Sequence, residues 1–559
     1  MAGTKQRLQN IFGLLLKLTI SPLVFQLLSY LDILQPDTFS ISGVAWLLIS
    51  AGLLGTLFSD LIMIRYGDGR LQAFANAQRL VDVGLYARNR HPSFWFFSIY
   101  QLGILLLFLG FNNLTFIIWL GLFVICILFL IFIQEKRLIR SLGARYIKYK
   151  ESIPFIFWKI KIPENRRIKF LPQLVWLFGI TVLRYWYKIK ISGTEHIPHD
   201  RPFIVVANHE SYLDPVLFSI FIPFEVQFVT TADVFTTPLM RFLLKGIGTF
   251  PMRRHRQDLK SIRTMLRLIK SGQIVGIFPE GGRSIDGSPL PILKETLKLI
   301  QHSKVPILPV HIDGAYEIWP RWAPNRRRGQ VTATFNPIIP VADQADLSEL
   351  EVHIQKSIFA ENKTFIPVKS INIASGLDNF LWACHKCHTH NSIEVSSKNS
   401  ISCRACSSSW QITDNYTLID HDSAQSRTLI TWIAELESSM LAHQEELPPG
   451  LKIPKQDRIY LSSKINKYMG EDGSELTGEI FLLLSDNNLF LIKDSVIIKT
   501  WPMKNVTIFT MDYHNAVSIG VGGIRHTFYL PETEIALKWQ MYFDTLYARV
   551  SASTKDSTG

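Results

Sequence analysis

The sequence predicts a multi-domain chain: an α-helical transmembrane region, an α/β domain, a small cysteine-rich module and a small β-rich C-terminal domain. Three observations predict it. Four long apolar stretches precede residue 135, short apolar strands alternate with helical patterns between about 200 and 315, and two Cys-x-x-Cys pairs stand before a run of hairpin-like strands. The 559 residues carry a formal net charge of +13, yet 47% are hydrophobic. That combination fits a membrane protein with a basic cytoplasmic side better than a soluble nucleic-acid binder. Four of the five cysteines form the two pairs, which argues for a metal in a reducing compartment rather than a disulfide framework.

The apolar stretches cover 11–34, 39–64, 93–110 and 114–133. Each is long enough to cross a hydrocarbon core at about 20 residues per helix. The first holds Lys17 and Pro22 and also suits a helix lying in the interface. No small-residue cleavage site stands out, so a secretory signal peptide is not expected. Lys5 and Arg7 precede the first stretch. Arg65, Arg70, Arg79, Arg88 and Arg90 separate the second from the third, and Lys136, Arg137, Arg140, Arg145, Lys148 and Lys150 follow the fourth. The other two loops have no Lys or Arg, which puts the basic loops in the cytoplasm.

Two motifs then share that face: "GLYARNRHPSFW" at 84–95 and "QEKRLIRSLGARYIKYKESIP" at 134–154. Over about residues 40–155 they resemble the isoprenylcysteine and phospholipid methyltransferase family. The matching positions are Gly84, Tyr86, Arg90, His91, Pro92, Glu135, Leu138, Gly143, Tyr146 and Tyr149. The resemblance implies that Arg90, His91, Pro92 and Glu135 surround S-adenosylmethionine. Gln134 replaces one acid of the usual pair, and "SFWFF" follows the His-Pro step where the family often has Tyr and then a small residue. The alternative is a membrane scaffold in which His91 and Glu135 sit at helix ends near the interface.

The segment 170–191 mixes Trp176, Tyr185, Trp186 and Tyr187 with Arg184, Lys188 and Lys190, as an interfacial helix or short anchor does. Beyond it, "PFIVVANHESYLD" reads as a buried strand ending in a turn. "GQIVGIFPEGGRS" and "KVPILPVHIDGA" read as two more strands, with helical patterns between. Four ordered motifs over about 170–345 resemble the glycerolipid acyltransferases, best known in lysophosphatidic acid acyltransferases. They are His209-x4-Asp214, Gly248 to Arg254, Phe278 to Ser284, and Val305 to Val310. Gly282 stands where Thr is usual, and Thr231 where many members have Lys.

The resemblance implies that Gly248, Arg254, Glu280, Gly281, Gly282, Arg283, Ser284 and Pro309 bind substrate. It implies acyl transfer from acyl-CoA or acyl carrier protein to a lysophospholipid, 1-acylglycerol 3-phosphate first. In chemical terms, His209 would take the acceptor's hydroxyl proton and Asp214 would fix its tautomer. Arg283 and Arg254 offer forked donors that suit phosphate, with Arg253 beside them as a solvated neighbour. Glu280 would orient the loop or the acceptor, and Gly281 and Gly282 would let the backbone approach it. The rivals are acylation of another lipid, such as an aminolipid, and a membrane adaptor without enzymatic activity.

Cys384, Cys387, Cys403 and Cys406 have the spacing Cys-x2-Cys-x15-Cys-x2-Cys, which suits a closed, structural Zn²⁺ site in a zinc ribbon. A redox pair is the alternative. Between the pairs, "HNSIEVSSKNSIS" has too few cations for nucleic-acid binding, and His385, His388 and His390 are not expected as ligands. Residues 425–446 read as an acidic, exposed helix. From about 456, strands with a "DNN" hairpin turn and a closing amphipathic helix with Trp539 resemble a pleckstrin-homology or GRAM-type domain. Its ligand, whether lipid head group, protein or none, stays open.

The expected division is 1–160 transmembrane, 165–365 acyltransferase-like, 375–420 zinc ribbon, 421–450 linker helix, 455–550 PH-like and 551–559 disordered tail. The whole would be a multi-pass membrane protein with its acyltransferase domain on the cytoplasmic face, and its partners would be membrane lipids, the lysophospholipid substrate and, where the donor is acyl-ACP rather than acyl-CoA, an acyl carrier protein.

Overall fold

A computed structural model describes residues 42–67, 79–109, 114–155, 166, 185–231, 237–246, 248–252, 259–342, 346–361, 364–442, 457–470, 473–512 and 515–556. The apolar stretch 11–34, residues 170–184 of the aromatic segment, Arg253 and Arg254 lie outside the described residues.

Three apolar helices form the first layer: α1 (Ser42–Tyr66), α2 (Pro92–Leu109) and α3 (Leu114–Leu142). Two of them, over Gly43–Tyr66 and Phe116–Leu142, are long and apolar enough to cross a membrane. Ile117, Leu122, Ile125 and Phe129 on α3 are all more than half exposed, a surface that water would penalise and lipid would not. Helices α1 and α2 pack backbone to backbone. A Cβ at Gly52 would collide with the Tyr100 main chain, and one at Gly103 would come within 2.8 Å of the Ala45 carbonyl. The short helix α4 (Ala144–Ser152) folds back under the basic end. There Tyr149 Oη donates to the Tyr86 carbonyl at 2.7 Å.

The second layer is a seven-stranded sheet: β1 (Lys190–Ser192), β2 (Ile204–Ala207), β3 (Val226–Thr231), β4 (Thr249–Met252), β5 (Ile274–Ile277), β6 (Ile307–Asp313) and β7 (Thr332–Phe335), in the order β1-β7-β6-β2-β5-β3-β4. From β6 to β4 every neighbouring pair is parallel, and β7 runs antiparallel to β6. Central strands buried on both faces explain the continuous apolar run at 203–207. Phe203, Val205 and Ala207 pack with Leu217 and Phe218 of α5 (Asp214–Ser219). Ile204 and Val206 face α6 (Leu259–Lys270), α7 (Lys294–Ser303) and α8 (Leu347–Ile358).

The two layers are joined by arginines. Arg79 donates to the Ile197 carbonyl at 3.0 Å, and the Asp82 carboxylate meets Arg166 at 3.2 Å and Arg201 at 3.3 Å.

After the α/β domain come five antiparallel strands: β8 (Ile393–Ser397), β9 (Ser400–Cys403), β10 (Ser409–Ile412), β11 (Thr417–Asp420) and β12 (Ser426–Thr428). Helix α9 (Leu429–Ser439) corrects the expectation of an exposed helix: Leu429, Trp432, Ile433 and Leu436 recur at helical spacing and are buried. Only its other face is acidic and wet.

A second seven-stranded sheet follows: β13 (Ile459–Gly470), β14 (Glu475–Ser485), β15 (Asn488–Lys493), β16 (Val496–Pro502), β17 (Val506–Asp512), β18 (Ala516–Val521) and β19 (Ile524–Tyr529). It is antiparallel throughout, in the order β16-β15-β14-β13-β19-β18-β17. Helix α10 (Ala536–Asp556) packs across it with Trp539 fully buried. This helix continues to Asp556, through most of the stretch expected to be a disordered tail. Residues 557–559 lie outside the described part. One apolar core runs unbroken from Tyr316 and Trp322 of the α/β domain through Trp382, Trp410 and Trp432 to Trp539 and Leu546.

Candidate active site

Loops at the C-terminal ends of the adjacent parallel strands β2 and β5 meet, as open α/β sheets favour for their sites. Asn208, directly after β2, makes two hydrogen bonds to Ile312 of β6. Its Nδ2 donates to the carbonyl at 2.8 Å and its Oδ1 accepts from the N–H at 2.7 Å. The side chain thereby adds a rung to the β2–β6 pairing and fixes where the chain turns. His209 follows, with its side chain 19% exposed. The His209 Nδ1 hydrogen is directed at Asp214 Oδ2, 2.8 Å away, which leaves the Nε2 lone pair for chemistry. The same Asp214 oxygen accepts from the N–H groups of Glu210 and Ser211, each at 2.7 Å, and the residue is fully buried. Five-residue spacing works because the turn 209–214 wraps around this one carboxylate.

The loop after β5 holds His209 by its backbone. Glu280 Oε1 accepts from the His209 N–H at 2.7 Å, and the Ser284 N–H donates to the His209 carbonyl at 2.8 Å. Glu280 Oε2 accepts from the Leu290 N–H at 2.8 Å. Burial pushes the Glu280 carboxyl up to about 7, against the lowering effect of those two backbone donors. With both oxygens engaged, Glu280 is placed to brace the loop. Ser284 Oγ donates to the Ser288 carbonyl and accepts from the Gly287 N–H, closing a tight turn. Gly281 has φ +68° and its missing Cβ leaves room for Leu293, so glycine is required there. Arg283 lies over the Tyr212 ring at 3.4 Å, and Tyr212 in turn meets Trp319 at 5.4 Å, with Arg326 over the tryptophan ring at 5.3 Å.

His209, Asp214, Glu280, Gly281, Gly282, Arg283 and Ser284 thus come together. Two expected substrate-binding residues do not. Gly248 precedes β4, level with Gln227 and the start of β2, at the opposite end of the parallel strands from His209. Its φ of +89° marks it as a turn residue. Pro309 lies inside β6 opposite Val206, buried in the sheet, where it serves the scaffold. Asn208 and Tyr212 carried no expected role, and Phe278, expected only as the first residue of the third motif, stacks its ring on His209 at 4.1 Å.

At the basic end of the membrane helices, Glu135 meets Arg90 at 3.0 Å, His91 at 3.3 Å and Lys150 at 2.7 Å. Pro92 starts α2 beside them, and Asn89 ties the loop to the His91 N–H and the Phe155 carbonyl. The buried Gln134 Oε1 has no hydrogen-bond partner among the described residues.

The four cysteine sulfurs lie within 4.8 Å of one another, with Cys384 and Cys406 at 3.8 Å and Cys387 and Cys403 at 3.7 Å. A tetrahedral zinc with Zn–S of about 2.3 Å sets its sulfurs roughly 3.8 Å apart, so the set fits. His385 instead packs its ring against Trp410 and Trp432, and His390 lies against Trp382.

Comparison with known proteins points to the same stretch. The acyltransferase family profile matches residues 188–313. A 1-acyl-sn-glycerol-3-phosphate acyltransferase of Bacillus subtilis is 28% identical over 127 residues, 22% of this chain and 63% of that protein. A probable enzyme of the same name from Mycoplasma genitalium is 32% identical, over 30% of this chain and 62% of its own length. The human alpha form is 24% identical, over 38% and 76%. A crystal structure of the Thermotoga maritima 1-acyl-sn-glycerophosphate acyltransferase aligns with a TM-score of 0.31 at 24% identity, covering 34% of this chain and 76% of that one. The chain spans between 44% and 63% of the length of the first three curated relatives. The similarity is therefore to an acyltransferase domain, whose family profile covers residues 188–313, between the membrane-compatible helices and the C-terminal modules.

Proposed function

We propose that this protein is a membrane-bound acyltransferase that moves an acyl chain from acyl-CoA or acyl carrier protein to the hydroxyl of a lysophospholipid, with 1-acylglycerol 3-phosphate as the first candidate acceptor. The observation that carries the reading is the His209–Asp214 pair, poised at a strand end with Nε2 making no hydrogen bond among the described residues. Nε2 takes the hydroxyl proton as the alcohol oxygen attacks the thioester carbon. The resulting tetrahedral adduct collapses, the C–S bond breaks, and the imidazolium returns the proton to the departing thiolate. Asp214 stabilises the imidazolium between those steps, and a base so placed is worth roughly 10²- to 10⁴-fold in rate. Arg283 binds the acceptor phosphate, and Arg254 is its second cation in this reading. Assay of His209→Ala with lysolipid and labelled acyl donor tests it: activity should vanish with the fold intact, and activity within a few fold of wild type would sink it.

The finer reading places the acyltransferase domain on the cytoplasmic face, by the distribution of Lys and Arg. The four-cysteine cluster is read as a structural zinc site in a ribbon, supported by its sulfur spacing. The β13–β19 sheet with α10 across it is read as a PH-like module, supported by its strand order. A second activity, S-adenosylmethionine-dependent methyl transfer, draws support from the convergence of Arg90, His91, Pro92 and Glu135, while Gln134 in place of a second acid would weaken such a site. Bound there, S-adenosylmethionine would supply an electrophilic methyl group, while Glu135 would hold its amino group or ribose. Calorimetry with S-adenosylmethionine on wild type and His91→Ala tests this. No heat at millimolar ligand would leave the helices as a scaffold.

A further inference from the structure

Tyr316 lies beneath both loops that build the site. Its backbone N–H donates to Glu210 Oε2 at 3.1 Å, next to His209. Its hydroxyl donates to the Ile285 carbonyl at 3.2 Å, one residue past the Ser284 that holds the His209 carbonyl. Gly287, at φ +100°, passes so close that a Cβ would come within 3.3 Å of the Tyr316 ring and 2.7 Å of Phe365. From the other side, Trp322 Nε1 donates to Tyr316 Oη at 2.9 Å, and the ring stacks on Phe365 at 5.8 Å. Tyr416, in the turn between β10 and β11, meets Tyr316 edge-on at 6.5 Å and donates its hydroxyl to the Glu317 carbonyl at 2.6 Å. Both tyrosines are fully buried.

We propose that Tyr316 is a positioning residue for His209, and that through Tyr416 the cysteine-rich sheet holds the 280–288 loop in the conformation that aims the imidazole. The inference rests on the acyltransferase reading of the same site. The Tyr316 hydroxyl is used twice, as acceptor from Trp322 and donor to Ile285. Removing it strands both groups in a dry interior, and the cheapest relief is for the loop carrying Ile285 to move. Ser284 moves with it, and so does the backbone of His209.

The test uses the full chain in detergent or nanodiscs. Tyr316→Phe and Tyr416→Phe keep the rings, and Tyr468→Phe removes an equally buried hydroxyl within the β13–β19 sheet as a control. Tyr316→Phe should lower kcat by about tenfold, the order expected for one lost buried hydrogen bond. Donor and acceptor KM should stay within about twofold, and amide exchange should accelerate in peptides covering 280–290. Tyr416→Phe should act in the same direction and Tyr468→Phe should not. Unchanged exchange in that loop, faster exchange with wild-type kcat, or an equal fall in kcat from Tyr468→Phe would each overturn the proposal. Absence of any acyl transfer by the wild type would instead overturn the parent reading, while the exchange data would still decide whether Tyr316 and Tyr416 hold the loop.

Discussion

The ring of Phe278 lies 4.1 Å from the ring of His209, and the two planes are only 18° apart. Phe278 is in turn stacked on Phe228 at 6.2 Å, so the imidazole rests on an aromatic column rooted in β3. That support keeps the imidazole plane fixed while Asp214 fixes its rotation. An aromatic face also favours the imidazolium that forms when the proton is taken. Phe278→Leu should therefore slow kcat by about threefold to tenfold, with donor KM unchanged. A kcat within twofold of wild type would show that the stacked ring does not support the imidazole.

Asp214→Asn removes the charge and puts an amide where one oxygen now accepts three hydrogen bonds. The imidazole can then be drawn into the wrong tautomer, with Nε2 protonated and unable to act as a base. A fall in kcat of about a thousandfold or more is expected, alongside a thermal midpoint lowered by several degrees. Retained activity at a tenth of wild type would remove Asp214 from the mechanism.

Glu280 carries a pH signature. Its carboxyl titrates near 4.5 in an unfolded chain and at about 7 when buried. Between those values the folded protein holds a proton that the unfolded chain has released, so stability is fully present below the lower value and is lost as pH rises through the upper one. Glu280→Gln cannot titrate. Its amide opposes one of the two backbone N–H donors, so it should be less stable than wild type at acidic pH, with the gap narrowing towards pH 8. Thermal unfolding across this range measures it. Parallel curves for the two proteins would refute the assignment.

The full chain should contain one zinc per molecule by elemental analysis, and Cys403→Ser should lose it. Cys384 and Cys403 are buried in the same core as Trp410 and Trp432. Metal loss should thus change tryptophan emission as well as lower stability, since a closed thiolate site contributes directly to folding. Finding the four cysteines paired as disulfides, with no metal, would overturn both the site and the reducing compartment.

The site was legible in the sequence wherever chemistry depends on a short spacing. His209 and Asp214 face each other because five residues close one turn, and the Glu280–Ser284 loop meets them because β2 and β5 are neighbours. The sequence could not say which end of a strand a motif residue occupies. Gly248 and Pro309 belong to the same ordered motifs, yet one precedes a strand at the far end and the other is inside one. Asn208, Phe278 and Tyr316 act through contacts with strands up to about a hundred residues away, and no local pattern carries that. The α9 helix shows a related limit. Its glutamates advertise an exposed face, but Leu429, Trp432, Ile433 and Leu436 define a second one, and only the fold supplies what covers it.

The apolar core that runs from Tyr316 to Leu546 has a consequence for how this chain breathes and evolves. The edge of the α/β domain around Tyr316, Trp322 and Phe365 shares one interior with the cysteine-rich sheet and the last sheet, so that seam should open as a unit. Losing any of them leaves a raw apolar surface on the others. The C-terminal third is therefore not cargo that can be shed or swapped between relatives at little cost, and a shortened descendant would first have to remake the surface around Trp322, Phe365 and Tyr316.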